Sequence, residues 1–424
     1  MSSVQVTSEI GRLRRVLVHE PGPEVDHMLP SMMEELLFDD ILFGEAARKE
    51  HRRFRRVLEA LGVEVLDAHV LLAAAFRREE ARHWVLDPLQ EALAPALLER
   101  LHAASPAELA RALTSGVRRE LAGSGNDADD LFEIPPVPNV CFQRDPQVVI
   151  GHEVLIAAMA TPARQREALL ADVVFRFHPD LAAVPRLYEP TTSSYDQSLS
   201  LGPQRPRFEG GDVLVLSPEV VAVGVSQRTN RTGVQLLVRA LARREQGPRW
   251  LILVALPALR AYMHLDTVIT PIDRDACLVY PPLVESGGPG AARVFEIDLH
   301  AKDSQPAAQP DLLAALRRRQ LDFAPIPCGG SDPVLQQREQ WTDGANALAV
   351  APGVVVLYDR NVATAEELGR HGFAIVGAKE LLQGRSPLDV ESGKRACVLV
   401  GSNEICRARG GPHCLTHPLF RDPV

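Results

Sequence analysis

The sequence predicts an α/β fold in which a strand–turn–strand unit followed by a helix recurs around a centre. Two observations predict it. First, DPQVVIGHEVLIAAMATPARQRE from Asp145, GGDVLVLSPEVVAVGVSQRTNRTG from Gly210 and ANALAVAPGVVVLYDRNVATAEEL from Ala345 share one pattern. Each holds two β-rich runs around a tight turn, then polar residues, then a helical segment, which is the mark of a repeat architecture. DRDACLVYPPLV and the N-terminal RRVLVHEPGPEV read as partial copies. Second, residues 71–130 depart from this pattern. They are rich in Ala, Leu, Arg and Glu, carry almost no β-branched residues, and are punctuated at Asp87-Pro88 and Ser105-Pro106. They predict short helices forming an inserted subdomain, with GSGNDADD at 123–130 as its exit loop.

Taken in order, LRRVLVHEPG alternates and ends in a Pro-Gly turn, which predicts a first strand. EAARKEHRRFRRVLEALG has helical spacing and stops at Gly62, a C-cap signal. VEVLDAHV predicts a strand after it. The chain thus divides into 1–70, the first part of the α/β body, 71–130, the helical insertion, and 131–424, the rest of the body.

Bulk properties bound the function. The 424 residues are 46% hydrophobic and 24% charged, with a net charge of −9. That is ordinary for a globular protein and lacks the basic footprint of a nucleic-acid binder. No apolar run approaches the roughly 18–20 residues that span a bilayer, and the N-terminus has no apolar signal core, so the expected location is cytoplasmic. Six scattered cysteines resemble neither a disulfide framework nor a clustered zinc site, and no metal or organic cofactor is expected.

Four polar groups stand at the ends of the repeating units. PNVCFQRDP offers Asn139, Phe142, Arg144 and Asp145; FEGGDV offers Glu209 and Asp212; MHLDTV offers His264 and Asp266; RARGGPHCLT offers Arg409, His413 and Cys414. Each has a structural reading as well. Asp-Pro opens turns, the two glycines of EGGD allow a bulge or close backbone approach, and a buried His–Asp pair is common. HLDT reads as strand, which would point His264 and Asp266 at one space. Cys414 stands apart from the apolar Cys277 and Cys397. It follows Arg407, Arg409 and His413, and nearby positive charge lowers a thiol pKa. A thiol nucleophile, a histidine and three carboxylates suit a cationic, planar, nitrogen-rich substrate, because carboxylates match a guanidinium through paired hydrogen bonds.

Together with EIGRLRRVLVHEPGPEV, ELLFDDILF, GVSQRTN, QQREQW and APGVVVLYDRN, these groups resemble the arginine deiminase family, within the guanidino-group-modifying superfamily. The resemblance spans essentially the whole chain, in order. It implies a five-bladed, pseudo-symmetric α/β propeller with an inserted helical subdomain. It implies Cys414 as nucleophile and His264 as general acid and base. Asp145 and Asp266 would grip the guanidinium, with Glu209 supporting substrate and His264. Asn139, Arg164 and Arg228 would hold the substrate carboxylate, Phe142 would line the methylene channel, and Arg409 would be a mobile gate. The chain departs from the family at Gln143, where Thr is usual, at Cys406 and Ala408 in a loop usually richer in glycine, and at residues 284–312, which read as extra loop.

The implied reaction converts free L-arginine to L-citrulline and ammonia through a covalent thiouronium on Cys414. The partner is thus a small molecule, with no nucleic acid or membrane, and self-association is left open. An amidinotransferase, a deiminase of a modified arginine and a non-catalytic arginine-binding protein are the rival readings.

Overall fold

The computed structural model describes residues 3–119, 131–188, 205–244, 246–285, 290–303 and 305–424. The 123–130 exit loop lies outside them.

Strand Leu13–Val18 ends where Pro21-Gly22-Pro23 turns the chain. Helix Gly44–Ala60 follows, burying Ala47, His51, Phe54, Val57 and Leu58 at three- and four-residue spacing. That face seals the core of the first sheet; truncating a buried ring such as Phe54 would cost about 3–5 kcal/mol. The helix stops because Gly62 takes φ +78°, a left-handed geometry suited to glycine. The strand expected over VEVLDAHV is shorter than the sequence suggests. Glu64–Asp67 is strand, and Asp67 then caps a helix over Ala68–Ala75 by accepting from His69 N, so His69 and Val70 are helical. Further helices follow at Glu79–Leu86, Pro95–Ala103 and Pro106–Ser115, the last opened by a Ser105/Glu108 capping box.

Among the described residues, five sheets carry the body, beside a two-stranded pair of Val117–Arg118 and Phe132–Ile134. Leu13–Val18 runs parallel to Glu64–Asp67 and antiparallel to the C-terminal strand His417–Arg421, so the two chain ends share one sheet. Gln147–Ile150 and Glu153–Ile156 form a hairpin turned at Gly151, with a parallel bridge from Val154 to Arg186. Val213–Ser217 and Val220–Val225 form a second hairpin, extended in parallel by Trp250–Ala255. Ile269–Asp273 and Ala276–Val279 make a third, with Ala324–Pro327 parallel to it. Leu348–Ala351 and Val354–Tyr358 make a fourth, flanked in parallel by Ala396–Val400. Residues 284–312, expected as extra loop, instead supply strands Arg293–Asp298 and Ala307–Gln309. These widen the Val213 sheet to five strands, because Val294 and Ile297 are apolar and bury on it.

One regularity matters for the site. In four of these five sheets a turn bearing a titratable side chain lies just before a strand of the antiparallel pair. Asp145 precedes Gln147–Ile150, Glu209 and Asp212 precede Val213–Ser217, His264 and Asp266 precede Ile269–Asp273, and Cys414 precedes His417–Arg421.

Candidate active site

Tight turns bring these side chains together. The Glu209 turn is a single 3-10 turn, Gly210–Asp212. Gly210 N donates to Asp145 O at 2.9 Å, and a Cβ on Gly210 would sit 2.0 Å from Arg144 O. The glycines are therefore needed for close approach of backbone to backbone. A Cβ on Gly211 would lie 2.7 Å from His264 Nδ1.

The expected strand at HLDT is not formed. Leu265–Thr267 is a 3-10 turn, pinned by Asp212 Oδ1 accepting from Leu265 N at 3.0 Å and by Thr267 Oγ1 donating to His264 O at 2.7 Å. His264 and Asp266 therefore diverge. His264 Nε2 meets Glu209 Oε2 at 2.8 Å, with Asp145 Oδ1 3.6 Å from Nδ1. Asp266 Oδ2 turns instead to His413 Nδ1 at 2.8 Å and accepts from Cys414 Sγ at 3.6 Å.

The electrostatics follow from burial and from these partners. Burial alone would lower the His264 pKa. Asp145, Glu209 and Asp212 outweigh it and raise it to about 9, favouring imidazolium at neutral pH. Burial also works against ionisation of Glu209, but Arg228, Arg164 and His264 hold its carboxyl well below the usual range. Cys414 is the reverse of the low-pKa thiol expected from its arginine-rich sequence neighbours. Burial, then Asp266, Asp145 and Asp343, push its pKa well above the ordinary value. Arg407 is engaged outside with Asp40 and Glu404, and the Arg409 guanidinium stacks on Trp341 at 3.5 Å, so the arginines near in sequence do not offset burial and the carboxylates around the thiol.

Arg164 spans the carboxylates. Nε and Nη2 reach Glu167 at 3.0 and 2.8 Å, Nη2 also reaches Asp145 Oδ2 at 2.9 Å, and Nη1 reaches Glu209 Oε2 at 3.3 Å. Arg228 Nη1 lies 3.6 Å from Glu209 Oε1 and has no hydrogen-bond partner among the described residues, while Nη2 donates to Met263 Sδ at 3.5 Å. Asn230 fixes the Arg228 loop by accepting from Gly233 N at 2.9 Å and Arg207 N at 3.0 Å. Asp145, Glu209 and His264 offer ligand atoms within 4.8 Å of one another, a set that could hold a metal ion. Both carboxylates there are already bonded to Arg164, which raises the cost of adding a second positive charge.

The chain matches the family model for arginine deiminase over residues 34–421. It is 36% identical to the arginine deiminase of Clostridium perfringens, covering 100% of this chain and 99% of that one. It is 33% identical to the arginine deiminase of Latilactobacillus sakei over 100% and 99%. The chain belongs to the arginine deiminase family. Solved structures with the same mixed α/β fold include an amidinotransferase of saxitoxin biosynthesis from Microseira wollei, at TM-score 0.57 and 17% identity over 100% of this chain and 98% of that one. Another is the inosamine-phosphate amidinotransferase of Streptomyces griseus, at TM-score 0.52 and 16% identity over 100% and 98%.

The remaining residues carried over from the arginine deiminase family sit as follows. Asn139, buried on the 3-10 turn Pro138–Cys141, donates from Nδ2 to Leu36 O at 2.8 Å and makes no bond to the His264 cluster among the described residues. The Phe142 ring lies against Gly410, where a Cβ would be 2.3 Å from it. Arg409 takes φ +65°, and its nearest carboxylate is Asp39 at 3.8 Å. Gln143, at the departure from the family pattern, is buried and donates to Val140 O. Sequence reasoning missed Glu167, which aligns Arg164 from three residues on, and Glu9, whose Oε2 meets His413 Nε2 at 3.1 Å. EIGRLR and TPARQRE were in view, but a single acidic residue in either gives no sign of its distant partner.

Proposed function

We propose that this chain hydrolyses free L-arginine to L-citrulline and ammonia, with Cys414 as nucleophile and His264 as acid and base. The observation that carries the reading is the buried thiol beside Asp266, with an imidazolium held by Glu209 and by Asp145, whose charge acts on the thiol as well. Around the thiol, anions dominate, so the missing positive charge is best supplied by the substrate. A guanidinium bound against Asp145 and Asp266 lowers the Cys414 pKa and the thiol proton departs to solvent.

The thiolate then bonds to the guanidinium carbon. His264 gives its proton to a departing nitrogen, the C–N bond breaks and ammonia leaves, with a thiouronium on Sγ. Neutral His264 next takes a proton from water as the oxygen bonds to the same carbon. The C–S bond breaks, thiolate returns, and the hydroxyl proton is released to give the citrulline carbonyl. Glu209 favours the imidazolium form of His264 before attack and keeps the ring oriented throughout.

Asn139, Arg164 and Arg228 hold the α-carboxylate in this reading, Phe142 lines the methylene channel and Arg409 gates it. Arg228, whose Nη1 has no hydrogen-bond partner among the described residues, has the clearest capacity for a carboxylate. Arg164 faces three protein carboxylates already, so its share requires it to turn from Asp145 when the guanidinium arrives. The five sheets act as blades of a pseudo-symmetric propeller, with residues 71–130 an insertion between 1–70 and 131–424. What supports the blades is the repeated hairpin with a third, parallel strand.

The test measures citrulline and ammonia from L-arginine in plain buffer, then from agmatine and an internal peptidyl arginine. Hydrogen bonds to charged groups are worth about 1.5–3 kcal/mol each. Losing two should therefore make agmatine at least about a hundredfold poorer. Equal turnover of agmatine or peptidyl arginine would end the free-arginine reading, and citrulline appearing only with an added amine acceptor would favour amidino transfer.

A further inference from the structure

Four polar turns before hairpin-pattern strands supply the reacting groups, and the fifth supplies Asn346, two residues before strand Leu348–Ala351. We infer that Asn346 is a positioning residue that locks Cys414 and Asp266 into one rigid frame. This rests on the arginine deiminase reading above and goes beyond it.

Asn346 is fully buried, and every hydrogen-bonding group it has toward the site is used. Its Oδ1 accepts from the backbone N–H of Cys414 at 3.1 Å. Its Nδ2 donates to the backbone carbonyl of Asp266 at 3.0 Å. Its own carbonyl accepts from His413 N at 3.3 Å, and its N–H donates to Asp343 O at 3.0 Å. One planar amide thus ties the nucleophile to the residue whose carboxylate lies 3.6 Å from the thiol.

The neighbouring chain is built around that amide. A Cβ on Gly411 would lie 2.5 Å from Asn346 Oδ1 and 2.7 Å from its carbonyl oxygen, so only glycine lets the Cys414 loop reach it. The two bonds need an acceptor and a donor on one short side chain, which asparagine provides. Aspartate keeps the acceptor but presents an oxygen to the Asp266 carbonyl unless protonated. Alanine leaves a buried N–H and a buried carbonyl without partners. Attack on the guanidinium carbon requires thiol and carboxylate at fixed separation, and displacement of about 1 Å costs roughly a hundredfold in rate.

The experiment is single-turnover consumption of labelled L-arginine with enzyme in excess, for wild type, Asn346→Ala and Asn346→Asp, with acid trapping of the Cys414 adduct. The expected result is a full reacting fraction of folded protein, arginine binding within about threefold of wild type, and a rate constant lower by about 10–100-fold. The Asn346→Asp rate should rise relative to wild type as pH falls and its carboxyl gains the proton it needs to donate. A rate constant in Asn346→Ala within twofold of wild type overturns the inference. So does a reduced reacting fraction with an unchanged rate constant, the mark of a purely structural role. Where Asn346→Ala does not fold, the near-isosteric Asn346→Asp decides, and a rate ratio to wild type that is both close to one and flat with pH overturns it. Wild type that forms neither adduct nor citrulline removes the arginine reading itself.

Discussion

Replacing Glu209 with glutamine removes one negative charge while keeping the shape of the side chain. In the wild type its carboxylate accepts from His264 Nε2 at 2.8 Å and helps raise the His264 pKa to about 9. A hydrogen bond to a charged group is worth about 1.5–3 kcal/mol, and one pKa unit is about 1.36 kcal/mol, so the loss corresponds to roughly 1–2 units. His264 in Glu209→Gln should titrate at about 7–8, still above the reference of about 6.5, because Asp145 and Asp212 remain. Imidazolium is the form that protonates the departing nitrogen. The alkaline limb of kcat/KM, which reports the free enzyme, should therefore move to lower pH by the same 1–2 units or so. Arg228 also loses its nearest carboxylate, and breaking such a buried pair costs about 3–5 kcal/mol of stability, so the profile is taken well below the variant's melting temperature. The imidazole signal lost in His264→Gln, followed by NMR through a pH titration, gives the same shift directly. An alkaline limb and a His264 titration both unmoved in Glu209→Gln would refute the assignment of Glu209 as the group that keeps His264 charged.

Cys414→Ala should fold and bind arginine but yield no citrulline, while mass spectrometry of acid-quenched wild type should place the adduct on Cys414. An adduct on Cys406, whose thiol lies under Arg360, would reassign the nucleophile. Gly211→Ala should lower kcat by about a hundredfold, since its Cβ would press 2.7 Å from His264 Nδ1 and turn the ring from Asp145 and Glu209. A wild-type rate in Gly211→Ala would mean that the ring position is not critical.

Local physics fixed much of this protein in one dimension. Short, nearly continuous apolar, β-branched runs around Gly151 and Gly353 set the hairpins, because short extended segments bury such runs on both faces and glycine accepts the left-handed turn. The Gly62 stop and the helix break at Ser105-Pro106 were readable for the same reason: each signal is local to a few residues. So were Asp145, Glu209, His264 and Cys414 as a set, since each sits in a polar turn beside a strand.

The rest depended on contacts far apart in the chain. HLDT became a turn because Asp212, more than fifty residues earlier, caps Leu265 N. Arg293–Asp298, within the run expected as loop, became strand because Trp250–Ala255 offered a free edge. The charge at Cys414 reversed the local expectation: its neighbours in sequence are arginines, but in space they are Asp266, Asp145 and Asp343, and burial strengthens that repulsion. Asn346 gave no signal within ANALAV, because its function is to join residues 266 and 414. Sequence determines which groups a turn can present; only the closed tertiary structure decides which of them face one another without water between, and there Coulombic and hydrogen-bond energies become large enough to set protonation.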